Sequence, residues 1–157
     1  MYYIPQNSLP YYWNYGQDYR QQLTSQHILQ NPNQYNGLII KDALPSDKRL
    51  YLIEKGTRRL IHSPSVYHAL FRDTKTQEVL NIDFIPLGNP IVEGSHLIKS
   101  NNESNPNLYW YDKENGHSWF KRRIANPNVY EKYHFTFNVT PYPQSIIDGL
   151  PDGSVVN

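Results

Sequence analysis

The chain has 157 residues, a formal net charge of +1, 38% hydrophobic and 14% aromatic residues, and no cysteine. Its length is enough for one domain with a real core. The missing cysteines exclude disulfide frameworks, zinc–thiolate sites, iron–sulfur clusters and thiol catalysis, and the near-neutral balance speaks against nucleic acid, which is bound through a strongly basic face.

Residues 1–36 read as an arm rich in tyrosine and glutamine and poor in charge. Its start, Met1 to Asn7, has neither a basic n-region nor an apolar h-region, so no secretory signal is expected. No run of about 18 apolar residues is present to cross a membrane as a helix. A soluble chain is expected; one that reached the outside of a cell would do so by lysis, sporulation or assembly into a particle. Tyr11, Tyr12, Trp13 and Tyr15, bounded by Pro10 and Gly16, form an extended aromatic stretch suited to docking or assembly. From Gln17 to Gln30, Tyr19, Leu23, His27 and Ile28 recur at helical spacing, and Asn31-Pro32-Asn33 stops the helix.

The remainder reads as two diverged copies of one unit, residues 37–93 and 94–157. Each opens with a glycine and a short apolar strand ending in lysine, Gly37 to Lys41 and Gly94 to Lys99. A hairpin follows, running from Leu50 to Gly56 and from Leu108 to Gly116. The return strands lead into Ser63-Pro64-Ser65-Val66-Tyr67 and Asn126-Pro127-Asn128-Val129-Tyr130. Ser63 and Asn126 are N-cap residues followed by proline at the first helical position, so each copy gains a short helix here. Val66, Tyr67 and Leu70 face inward in one helix, and Val129, Tyr130 and Tyr133 in the other. A last strand pairs Val79–Asp83 with Thr136–Thr140, and proline-glycine turns pair Ile85–Ile91 with Leu150–Val156. The fold class is α+β: two pseudo-repeated units of strand, hairpin, short helix, strand and turn, closing one shared core behind the arm and its helix.

The run from Leu50 through Arg58-Arg59-Leu60-Ile61 to Ser63-Pro64-Ser65-Val66-Tyr67 resembles short tandem repeats of bacterial envelope and secreted proteins. In those, a Val-Tyr-Leu-Ile…Gly-x-Lys-Arg-x-Ile hairpin precedes Ser-x-x-x-Phe. The resemblance covers residues 37–157 and implies a non-catalytic module beside other surface modules. Copy two departs from it in Trp110, Trp119 and Phe120 and in a longer turn. The bias toward Tyr, Asn, Gln and Pro is similar to that of spore and particle structural proteins, in composition only.

Chemistry is sparsely signalled. The six histidines stand in neither His-x-His nor His-x-x-x-His spacing beside a carboxylate, so no metal or other cofactor is expected. No nucleophile elbow and no phosphate loop are present. Asp112 and Glu114 border a turn, where acids are common; a small acid–base hydrolase using Asp112 is the weakest of three readings. Arg58-Arg59 and Arg122-Arg123 read as recurring at one place in both copies, as solvated charge with an arginine stem over apolar surface, or as a fork for carboxylate or phosphate. Arg58 and Arg122 are therefore candidate binding residues. So are Tyr109, Trp110, Tyr111 and Trp119, because strand alternation leaves one aromatic set of the second hairpin exposed, for a glycan or a protein partner. The expectation is a non-enzymatic structural or interaction module. Its partner is another copy of itself, or a protein of a bacterial surface or particle. A carbohydrate-binding module is the alternative.

Overall fold

The computed structural model describes residues 22–73 and 76–157. Tyr11, Tyr12, Trp13 and Tyr15, and the first part of the expected Gln17–Gln30 helix, lie outside the described residues.

Element order follows the duplication. A lead-in of β1 (Leu23–Thr24) and α1 (Ser25–Gln30) precedes the first repeat. That repeat comprises β2 (Ile39–Asp42), β3 (Leu50–Glu54), β4 (Thr57–Leu60), α2 (Pro64–Leu70), β5 (Gln77–Leu80) and a 3-10 turn (Ile82–Phe84). The second comprises β6 (His96–Ser100), β7 (Leu108–Asp112), β8 (Phe120–Arg123), α3 (Pro127–Lys132), β9 (Thr140–Tyr142) and α4 (Gln144–Gly149). One sheet has the order β1-β5-β2-β3-β4 and the other β8-β7-β6-β9. In both, an antiparallel three-strand meander is joined on its first strand by a parallel strand after the helix.

Register makes the equivalence residue by residue. Leu52 faces Arg59 across the first hairpin, and Trp110 faces Arg122 across the second. The irregular edge beyond each hairpin bridges Arg58 to Leu87 and Ile61 to Ile91, then Lys121 to Asp152 and Ile124 to Val156. Ile61 and Ile124, each 6% exposed, sit in one hydrophobic cluster with Ile39, Leu52, Leu97, Trp110 and Phe135. The repeats thus share a single interior. They also meet through Phe71 and Phe135, where Arg72 N donates to His134 O at 2.7 Å and Thr136 N to Leu70 O at 2.8 Å. Such reciprocal antiparallel pairing of equivalent segments is how a two-fold contact looks.

Local chemistry explains the boundaries. Lys55 and Gly56 have φ of 52° and 73°, the mirror-image turn that matches hairpin twist and that favours glycine. Ser63 Oγ accepts from Val66 N at 3.2 Å, and Asn126 Oδ1 from Val129 N at 3.0 Å, as the cap reading requires. Val66, Tyr67, Leu70 and Tyr133 are buried, whereas Val129 and Tyr130 are half-buried.

Three expectations are corrected. Leu23 belongs to a strand, and the described helix begins only at Ser25. Thr24 is extended (φ −124°, ψ 164°) and its N–H donates to His27 Nδ1 at 2.9 Å, which caps the helix there. Val79 corresponds to Tyr142, not to a residue of 136–140, since Val79 stands opposite Asp42 and Tyr142 opposite Ser100; the chain after α3 is longer than that after α2. Arg58-Arg59 corresponds to Lys121-Arg122, so Arg123 occupies the place of Leu60 and is exposed.

Candidate functional site

Strand alternation turns Glu54 and Arg59 of the first hairpin, and Asp112 and Arg122 of the second, onto the core side. All four are buried: Glu54 6%, Arg59 3%, Asp112 0% and Arg122 0% exposed. Each arginine forks onto the carboxylate of the other repeat. Arg59 Nη1 and Nη2 donate to Asp112 Oδ2 and Oδ1 at 2.8 and 2.9 Å. Arg122 Nη1 and Nη2 donate to Glu54 Oε1 and Oε2 at 3.2 and 2.8 Å. Each also reaches the acid of its own repeat, Arg59 to Glu54 at 3.2 Å and Arg122 to Asp112 at 2.9 Å. Arg59 Nε donates to Asn89 O at 2.7 Å, and Arg122 Nε to the equivalent Ser154 O at 3.0 Å.

Two glycines allow this. A Cβ on Gly88 would stand 3.1 Å from Arg59 Cγ, and one on Gly153 2.8 Å from Arg122 Cγ. The Pro-x-Gly segments are therefore small because an edge chain must lie on an arginine stem. Both guanidinium groups also lie over the Trp110 ring, 5.3 and 5.0 Å from its centre.

The electrostatics are self-contained. Burial works to raise the Glu54 carboxyl, but Arg122 and Arg59 outweigh it and hold the pKa below the ordinary value. Burial works to lower the pKa of both arginines, and their carboxylate partners raise it instead. Burial, reinforced by the Glu54 charge, pushes the Tyr133 hydroxyl well up; that hydroxyl donates to Asn157 O at 3.2 Å. The quartet is a clasp between repeats with its charge balanced inside.

The candidate residues therefore divide. Arg122 does use its planar fork on a carboxylate, but that carboxylate is Glu54 of the same chain. The solvated charge expected of the pair is the adjacent Arg123, which is exposed. Arg58 is half-buried, 4.9 Å over the Tyr51 ring, and its Nε donates to Ile85 O at 3.0 Å. Its counterpart Lys121 repeats the arrangement on Tyr109 (5.9 Å) and on Leu150 O (3.1 Å). Trp110 is fully buried, its indole N–H donating to Ser95 Oγ at 2.7 Å, so no glycan can stack on it. Tyr109 is buried beneath α4. Asp112 is no turn residue: both its oxygens accept from guanidinium groups in the core. Glu114 is a structural acceptor too, for Ser154 N at 2.6 Å. Of the aromatic candidates among the described residues, Tyr111 and Trp119 remain partly open, stacked on one another at 4.8 Å with planes 12° apart. Among the described residues, no group of three or more His, Cys, Asp or Glu side chains could hold a metal ion, and no helix is long and apolar enough to cross a membrane.

The outer sheet faces hold the other feature. On the first sheet, Ile28 of α1 is completely buried among Ile40, Ile53, Val79, Ile82 and Ile85, with Leu38 beside it. The positions equivalent by register to Leu38, Ile40, Ile53, Val79 and Ile85 are His96, Ile98, Tyr111, Tyr142 and Leu150. Those five, with Ile146, line a hollow of about 160 Å³. The chain's own α1 plugs the first seat; on the second face α4 buries Ile147 against Ile98, Tyr109, Tyr111, Tyr142 and Leu150, and the hollow beside it stays open among the described residues. His96 and Tyr142 meet at 3.3 Å across its floor, and His96 Nδ1 lies 2.7 Å from Gly94 O.

Compared with protein-family models, curated proteins and solved structures, the chain matches none.

Proposed function

We propose that the chain is a non-catalytic structural or interaction module that assembles with itself or onto a surface or particle, with the outer face of the second repeat as a contact surface. The observation that carries this reading is the contrast of seats: the first repeat's is filled by Ile28, and no side chain among the described residues enters the hollow at the matching place of the second. Apolar surface held open where the twin fold closes it is a cost that a binding role offsets. The buried acids and arginines support the same reading from the other side, because their hydrogen-bonding capacity is consumed between the repeats. The likeness of the hairpin-helix unit to bacterial envelope repeats agrees with it. The aromatic arm, Tyr11, Tyr12, Trp13 and Tyr15, is proposed as a further contact element.

Light scattering and electron microscopy of the full chain, beside a chain lacking residues 1–16, test the reading. Concentration-dependent oligomers or fibres that weaken on deletion are expected; a full chain that stays monomeric at every concentration and binds no surface would refute it.

The half-open Tyr111–Trp119 stack beside the hollow favours a second reading, a carbohydrate-binding module. A glycan-array signal lost in Trp119→Ala would support that alternative. Trp110→Ala would act through stability instead.

A further inference from the structure

The open hollow is a copy of a seat whose occupant is known. In the first repeat that occupant is an aliphatic side chain on a short helix, Ile28 of α1. The same helix carries Leu29 on its outward side, 43% exposed. Phe84, on the 3-10 turn that packs against α1, is 72% exposed on the same outer face. At the second repeat, Ile146 is 49% exposed and part of the hollow's rim, while the more exposed Phe137 (71%) lies outside the hollow's lining. The two outer faces point away from one another, because the shared core lies between the sheets. One end of the molecule therefore presents an apolar knob, and the opposite end an apolar hole. Scattered exposed hydrophobic residues are ordinary; a knob on the very helix that fills the twin seat is not scattered.

We propose that α1 serves two seats: Ile28 closes the first repeat of its own chain, and Leu29 enters the hollow lined by Ile98, Tyr111, Tyr142, Ile146 and Leu150 on a second copy of the chain. This rests on the self-assembly reading and names its contact. The contact is heterologous, since different surfaces meet, so it propagates head to tail instead of stopping at a symmetric pair. It is made by side chains and not by strand addition. In the first sheet β1 pairs along β5, but the matching edge strand β9 contains Pro141 and is followed by Pro143, which have no N–H to offer a new strand.

Sedimentation velocity over rising concentration, with circular dichroism as a fold check, decides it using three full-length chains. The natural chain should gain mass with concentration. Leu29→Glu and Ile146→Glu, both at exposed positions, should each keep native dichroism and stay monomeric. Mixed together they should form pairs and nothing larger, because one variant keeps the hole and the other keeps the knob. Mass growth that survives both substitutions would overturn this contact and leave self-assembly standing through another surface. A mixture that remains monomeric would overturn the knob-and-hole pairing, and a natural chain that never associates would remove the self-assembly reading as well.

Discussion

The two repeats are alike inside and unlike outside. Inside, the acid at the end of the second strand, the arginine of the third, and the glycine over its stem recur as Glu54, Arg59 and Gly88, then Asp112, Arg122 and Gly153. Each repeat's charges are satisfied by the other's, so neither can change alone. Outside, the first hairpin closes in the turn Lys55-Gly56 and the second through residues 113–119, while Leu38, Ile53 and Val79 give way to His96, Tyr111 and Tyr142. Duplication frees a surface to diverge only where the copies do not touch. That is why the interior reads as structure and the second outer face as a site.

Breaking the clasp is the strongest test of the shared interior. Arg122→Met strands Glu54 and Asp112 with one arginine between them, an uncompensated buried charge, and should cost about 3–5 kcal/mol in urea unfolding. Replacing all four members together (Glu54→Leu, Arg59→Met, Asp112→Leu, Arg122→Met) should recover most of that loss, because no charge is then left unpaired. A quadruple variant no better than the single one would show that the fold needs the charges themselves.

The same cluster sets the pH limits of stability. The Glu54 carboxyl is held below its ordinary 4.5, so the unfolded chain binds the proton more readily. Its contribution is present above that value and is lost as pH falls below it toward the folded pKa. Glu54→Gln should flatten this acid limb. Tyr133 is raised above its ordinary 10.0, so the unfolded chain ionises first and stability falls as pH climbs through that value. Tyr133→Phe should flatten the alkaline limb, read from urea midpoints across the pH range.

The comparison of repeats also marks what the sequence could say. The α+β order, the hairpins, the helix caps at Ser63 and Asn126 and the Pro-x-Gly correspondence were legible, because each rests on local chemistry within a few residues. The clasp was not. Glu54 and Arg122 are far apart in the chain, and a charged residue on a strand reads as solvent-facing unless both hairpins are known to stack. One signal could have found it: an acid closing the second strand and an arginine paired two positions earlier in each hairpin, on the same face as Leu52 and Trp110. The open seat was invisible for a related reason, since the vacancy exists only relative to Ile28, which lies outside both repeats.

A smaller effect separates the two glycines. Alanine at Gly88 meets Thr57 Oγ1 at 2.8 Å and Arg59 Cγ at 3.1 Å, whereas at Gly153 it meets Glu114 Oε1 most closely of all, then Arg122 Cγ and Phe120 Cβ, both at 2.8 Å. Overpacking of this kind costs about 1–3 kcal/mol. Gly153→Ala should lie toward the upper end and Gly88→Ala below it, because the added methyl in the second repeat meets three close neighbours, including the Glu114 carboxylate that Ser154 N holds in place. Equal thermal shifts would mean that the two edges yield alike, despite their different neighbours.

The smallest effect expected comes from the caps, where the repeats differ least. Ser63→Ala and Asn126→Ala each remove the acceptor for one N–H of the first helical turn, at a cost of about 1 kcal/mol. Ser63 has an additional partner, since its hydroxyl donates to Glu93 Oε1 at a short distance, while Asn126 makes its cap alone among the bonds described. That second bond is exposed and adds little to an exposed pair. The two alanine variants should therefore fall within a few tenths of a kcal/mol of each other by chemical unfolding, and Glu93→Gln should leave Ser63→Ala unchanged. A Ser63→Ala loss several times that of Asn126→Ala would show that the Glu93 contact ties the first helix to the connection between the repeats, and that the copies diverge at the caps as well as on their outer faces.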